Sequence, residues 1–133
     1  MDATSISIEA RNLSKRFGNR TAISDLTFSI PQGEIVGFLG PNGAGKSTTL
    51  RILTGILPAD AGFVSVQGLP VATRSDEVRR HIGYMPENNP LPEEMRVQEY
   101  LRFRARIKGI PRRRRRTEVE KVMEVCELQR KTR

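Results

Sequence analysis

One stretch, residues 35–53, limits the possible folds of this chain more than any other. Ile35-Val36-Gly37-Phe38-Leu39 is apolar without alternation. A strand with that pattern has both faces covered, as in the interior of a parallel sheet. It runs directly into Gly40-Pro41-Asn42-Gly43-Ala44-Gly45-Lys46-Ser47-Thr48, which fits G-x-x-x-x-G-K-[ST]. Residues 47–53 then read as a helix, ended by Gly55. Strand, glycine-rich loop and helix in immediate succession predict an α/β fold with a P-loop at the strand's end.

The residue types in the loop explain its chemistry. Glycines let the backbone curl until successive N–H groups point inward, where a Cβ would clash. The helix that follows adds the positive end of its dipole. An ammonium at Lys46 suits the outer phosphates of a nucleoside triphosphate, and the Ser47 hydroxyl suits the Mg²⁺ that bridges them. The pattern specifies a triphosphate but not its base, because GTPases, kinases, helicases and transporters share it.

The flanking segments are simpler. Ile6 and Ile8 alternate with Ser5 and Ser7, and Leu26, Phe28 and Ile30 alternate with Thr27 and Ser29. With a turn at Phe17-Gly18-Asn19-Arg20, they predict a small antiparallel sheet near the start. Further strands are expected at 63–66, closed by Gly68, and at 82–85, with a helical turn at 77–80 between them. A helix is predicted over 97–108, its stripe made of Tyr100, Phe103 and Ile107 beside Val97 and Leu101. A last helix would place Val119, Val122, Met123 and Cys126 on one face, with Thr117 and Glu120 as a capping box. The lone Cys126 is expected in the core, and His81 is read as structural.

No segment approaches the roughly 20 apolar residues of a membrane helix, and the first residues lack a secretion signal's pattern. A cytoplasmic location is expected. The net charge of +8 includes an arginine run at 112–116. Such a charge attracts polyanions without choosing among nucleic acid, lipid and nucleotide.

Several segments carry a resemblance. Ser14-Lys15-Arg16-Phe17-Gly18-Asn19-Arg20-Thr21-Ala22-Ile23, Leu26-Thr27-Phe28, Gly33-Glu34-Ile35 and the Pro-Asn-Gly-Ala-Gly form of the loop together resemble the ATP-binding cassette (ABC) transporter family. So do Ile82-Gly83-Tyr84-Met85-Pro86-Glu87 and Val97-Gln98-Glu99-Tyr100-Leu101. The likeness runs from about residue 6 to about residue 128. It implies a P-loop NTPase core, a parallel sheet with helices, plus an antiparallel β subdomain and the start of a helical subdomain. The implied division is about 1–95 for the core and about 96–133 for the helical part, within a single domain incomplete at its C-terminus.

The resemblance also implies a site. Phe17 would stack on adenine, and residues Gly40, Pro41, Asn42, Gly43, Ala44, Gly45, Lys46, Ser47, Thr48 and Thr49 would hold the phosphates of ATP. Glu87 stands where the family has a glutamine that reaches the metal and γ-phosphate, so Mg²⁺ would fall to Ser47 and Glu87. A glutamate there resembles a subgroup of exporter-type cassettes. The implied partners are an integral membrane permease and a second ATP-binding domain in a dimer, on the cytoplasmic face of the membrane. The sequence contains no Leu-Ser-Gly-Gly signature, no apolar strand ending in Asp-Glu and no switch histidine. The hydrolytic residues are therefore not expected within it. The alternative reading is a soluble ABC-type ATPase acting on nucleic acid or the ribosome; the arginine run lacks the aromatic interleaving that base stacking requires.

Overall fold

A computed structural model describes residues 5–129. They form two compact units, divided between Tyr84 and Met85.

The first unit is built on a long hairpin. β1 (Ile6–Phe17) and β2 (Arg20–Pro31) pair antiparallel, with Leu13 opposite Leu26 and Phe17 opposite Arg20 at the tip. β3 (Ala61–Val66) lies antiparallel on the other side of β1, and the two-residue β4 (Leu69–Pro70) completes the order β2-β1-β3-β4. Gln67 and Gly68 connect β3 to β4 with both φ angles positive, 51° and 73°. That geometry matches the right-handed twist of the paired strands.

One face of this sheet is covered by α1 (Lys46–Leu53) and α2 (Val71–His81). The buried set is Ala10 and Leu13 of β1, Ile23 of β2, Val64 and Val66 of β3, Ile52 and Leu53 of α1, and Val71 and Val78 of α2. The predicted β subdomain is thus present. α2 is longer than the expected turn at 77–80, with a kink at Arg74.

Two expected strands are absent from the sheet. Residues 35–39 make no ladder among the described residues, and Ile35 and Leu39 are 102% and 92% exposed. Residues 82–85 likewise lie outside the sheet. A parallel strand exists only through a neighbour with which it shares slanted hydrogen bonds. Residues 35–39 run between β2 and α1 and residues 82–85 follow α2, and neither segment pairs with an edge of this sheet. The 35–39 segment is held instead by side chains, with the Phe38 ring 6.2 Å from that of Phe28.

The second unit contains a helical hairpin, α3 (Val97–Ile107) and α4 (Arg112–Val125). The Glu99 carboxylate accepts from the Arg96 backbone N–H at 3.0 Å, fixing the start of α3. Leu101 and Ala105, one turn apart, meet Val119 and Met123 of α4. The expected stripe of Phe103 and Ile107 points the other way, leaving these residues 46% and 59% exposed. α3 carries two apolar faces, and the smaller one, containing Ala105, permits the closer helix approach. α4 begins at Arg112, so Thr117 lies inside the helix and caps nothing.

Cys126 is exposed, contrary to expectation. The helix ends at Val125, and the Leu128 N–H bonds back to the Met123 carbonyl at 2.8 Å. This reversal, with Glu127 at φ 54°, brings Leu128 onto the core in place of Cys126.

Candidate phosphate-binding site

The loop at 40–45 is shaped by two residues in the left-handed region, Gly43 at φ 82° and Gly45 at φ 74°. Only glycine takes such angles without strain. Gly45 has a further reason to lack a side chain. A Cβ there would lie 2.0 Å from the Ala22 carbonyl oxygen and 3.2 Å from Ile23 Cγ1. The loop therefore rests directly on β2, and its position follows from the hairpin.

The hydrogen bonds show which groups remain available. The Ala44 N–H donates to the Pro41 carbonyl and the Thr49 N–H to the Gly45 carbonyl. The amides of Gly45, Lys46, Ser47 and Thr48 donate to no described protein acceptor. They sit at the start of α1, where unsatisfied N–H groups and the helix dipole favour an anion. Lys46 bends back over the loop, its Nζ donating to the carbonyls of Gly40 at 2.9 Å and Pro41 at 3.3 Å. One glycine-rich turn thus carries an ammonium on its carbonyls and four consecutive open amides at its end. This donor set fits a polyphosphate.

The sequence-predicted residues divide by position. Pro41, Asn42, Gly43, Ala44 and Ser47 are exposed, whereas Gly45, Lys46 and Thr48 are half-buried. Thr49 is 1% exposed, and its hydroxyl donates to the Gly45 carbonyl at 2.8 Å. Both of its donors are therefore used inside the protein, and it anchors the first turn of α1 instead of facing a ligand.

Phe17 lies at the tip of the hairpin, 48% exposed. Lys15 Nζ stands 5.6 Å from its ring centroid, a cation held over the aromatic face. That ammonium is itself fixed at 2.7 Å to Asp60, whose other oxygen accepts from the Arg16 N–H at 2.8 Å. These hydrogen bonds, the one from Lys15 first, hold the Asp60 carboxyl below the usual carboxylate range. Glu87 is exposed at a bend in the second unit, whereas the loop belongs to the first.

Arg20 was not singled out by sequence. A Cβ placed on Gly43 would lie 3.1 Å from Arg20 Nη2, so a guanidinium stands at the rim of the loop. The only available signal was its place next to the hairpin turn, which does not say that the turn reaches residue 43.

A P-loop resting on an antiparallel β subdomain defines a nucleotide-binding protein of the phosphate-loop class. Comparison with known proteins narrows it. The sequence pattern of the family described as ABC transporter matches residues 23–133. The chain is 37% identical over 129 residues to the Nod factor export ATP-binding protein I of Mesorhizobium japonicum, covering 97% of this chain and 38% of that protein. It is 38% identical over 120 residues to a probable multidrug ABC transporter ATP-binding protein of Escherichia coli, covering 90% and 20%. A solved structure of the ATP binding subunit of an ABC transporter superposes with a TM-score of 0.82 at 30% identity, covering 95% of this chain and 52% of that one. The chain belongs to the ABC transporter family, and its fold is that of the family's ATP-binding subunit. Membership favours the transporter reading over the nucleic-acid alternative. The chain spans about half the length of the solved structure and less than half of these two relatives.

Proposed function

We propose that this chain supplies the phosphate-gripping part of an ATP-binding subunit that drives a membrane permease. The observation that carries the reading is the presence on one turn of the Lys46 ammonium and the open amides of Gly45, Lys46, Ser47 and Thr48. In this reading the amides and Lys46 hold the β- and γ-phosphates, and the exposed face of Phe17 stacks on adenine. Arg20 adds positive charge at the loop's rim. The Ser47 hydroxyl would be offered to Mg²⁺, which when bound would neutralise phosphate charge.

The partners are a permease and a second ATP-binding domain, with the subunit on the cytoplasmic face of the membrane. No helix among the described residues is long and apolar enough to cross a membrane. Export is the direction favoured by the names of the Nod factor relatives and by glutamate at position 87.

Calorimetric titration with Mg-ATP tests the reading, comparing the chain with Lys46→Ala. Losing a charge-assisted hydrogen bond of about 1.5–3 kcal/mol corresponds to roughly 10- to 150-fold weaker binding. Unchanged affinity in the variant would refute the proposed role of the loop.

A further inference from the structure

The second unit carries a feature that nucleotide binding does not use. Arg102 and Arg106 of α3, and Arg112, Arg115 and Arg116 of α4, line one groove together with Phe103. Only Arg116 among these five pairs with a carboxylate among the described residues, Glu120 at 2.9 Å. Arg115 donates from Nε to the Ile110 carbonyl at 2.7 Å, which orients it without neutralising it.

The arrangement is electrostatically unfavourable by itself. Arg112, Arg115 and Arg116 sit at the beginning of α4, whose first turn contains no acidic residue. Cations at a helix N-terminus oppose the dipole, where anions are preferred. Convergence of further arginines from α3 raises the local potential. A negatively charged surface brought to this groove would relieve both conflicts at once.

The apolar residues indicate what kind of surface. Phe103, which lines the groove, is 46% exposed, and Ile107, one turn further along α3 and next to Arg106 in sequence, is 59% exposed. An aromatic and an aliphatic side chain flanked by guanidinium groups on flexible stems suit a bilayer interface: the apolar groups enter the headgroup boundary, and the cations remain at phosphate level. Binding a nucleic acid by stacking would need several aromatic rings along the basic stripe. Phe103 alone lines this one.

We propose that the groove between α3 and α4 is a docking surface for the phosphate-bearing headgroups of an anionic bilayer, anchored by Phe103 and Ile107. Its assignment to membrane rests partly on the transporter reading, but it requires neither ATP nor a permease.

The test is co-sedimentation of the chain, without nucleotide, with vesicles of phosphatidylcholine alone or with added phosphatidylglycerol. Binding is expected only with the anionic vesicles and should weaken with salt. Arg102→Gln/Arg106→Gln should reduce the partition coefficient about 25-fold, at about fivefold per arginine. Arg51→Gln/Arg80→Gln removes the same charge from residues that do not line the groove and should leave binding within about twofold. Phe103→Ser should weaken binding severalfold at unchanged charge.

Equal losses in the two double variants would reduce the effect to net charge and overturn the proposal. So would equal binding to neutral vesicles, or displacement by inorganic phosphate at constant ionic strength, which would mark a simple ion site. Tighter binding to a single-stranded RNA oligonucleotide than to anionic vesicles at the same salt would assign the groove to nucleic acid instead. None of these outcomes bears on Mg-ATP binding, so the two readings fail separately.

Discussion

Gly45→Ala separates backbone strain from steric contact at the phosphate loop. The new Cβ would lie 2.0 Å from the Ala22 carbonyl oxygen and 3.0 Å from its carbon, at φ 74°. Gly68→Ala is the matched control, with φ 73° and no heavy atom within 4 Å of the added carbon. Both variants incur the left-handed penalty of about 1–2 kcal/mol. Only at Gly45 must the loop also withdraw from β2, by about 1.4 Å to reach ordinary packing distance, which adds about 1–3 kcal/mol. Urea unfolding followed by circular dichroism should therefore show Gly68→Ala destabilised by about 1–2 kcal/mol and Gly45→Ala by about 2–5 kcal/mol. Mg-ATP binding should fall in the second variant alone, because only there are the amides displaced. Equal destabilisation in the two would show that the loop does not bear on the hairpin, and the positional argument would fail.

Two further outcomes are expected. Arg20→Gln should weaken Mg-ATP binding severalfold with an unchanged unfolding midpoint, measured by calorimetry and urea titration; an unchanged affinity would remove Arg20 from the site. Asp60 has a folded-state pKa below its unfolded value, so its stabilising contribution is present above the unfolded pKa and is lost as pH falls through the lower folded value. Asp60→Asn should accordingly flatten the decline in stability below about pH 4, read from unfolding midpoints across an acid series; an identical decline in both proteins would refute the linkage.

What could be read from the sequence depended on whether a signal was local. The loop was legible because its spacing, its glycines and the helix after it are contiguous. The hairpin was legible because Ile6, Ile8, Leu26, Phe28 and Ile30 alternate on a period of two. Residues 35–39 also announce a buried strand, but a strand depends on its neighbours, and none of the described residues pairs with them. Phe103 and Ile107 obeyed helical spacing, yet spacing cannot say which of two apolar faces a partner will choose. α4 took Leu101 and Ala105. Thr49 read as a ligand because it adjoins the loop; only the geometry reveals that its hydroxyl is turned to the Gly45 carbonyl. Arg20 lies 23 residues from Gly43, a pairing that no local pattern encodes.

The two carbonyls that accept from Lys46 bear on how any affinity of this loop should be interpreted. Recruiting that ammonium is an exchange, in which neutral oxygens are traded for anionic ones. The measured heat is then the difference between two sets of bonds. The Pro41 carbonyl also accepts from the Ala44 N–H, so a substitution that frees the ammonium by moving the chain there would disturb the turn that presents the amides as well.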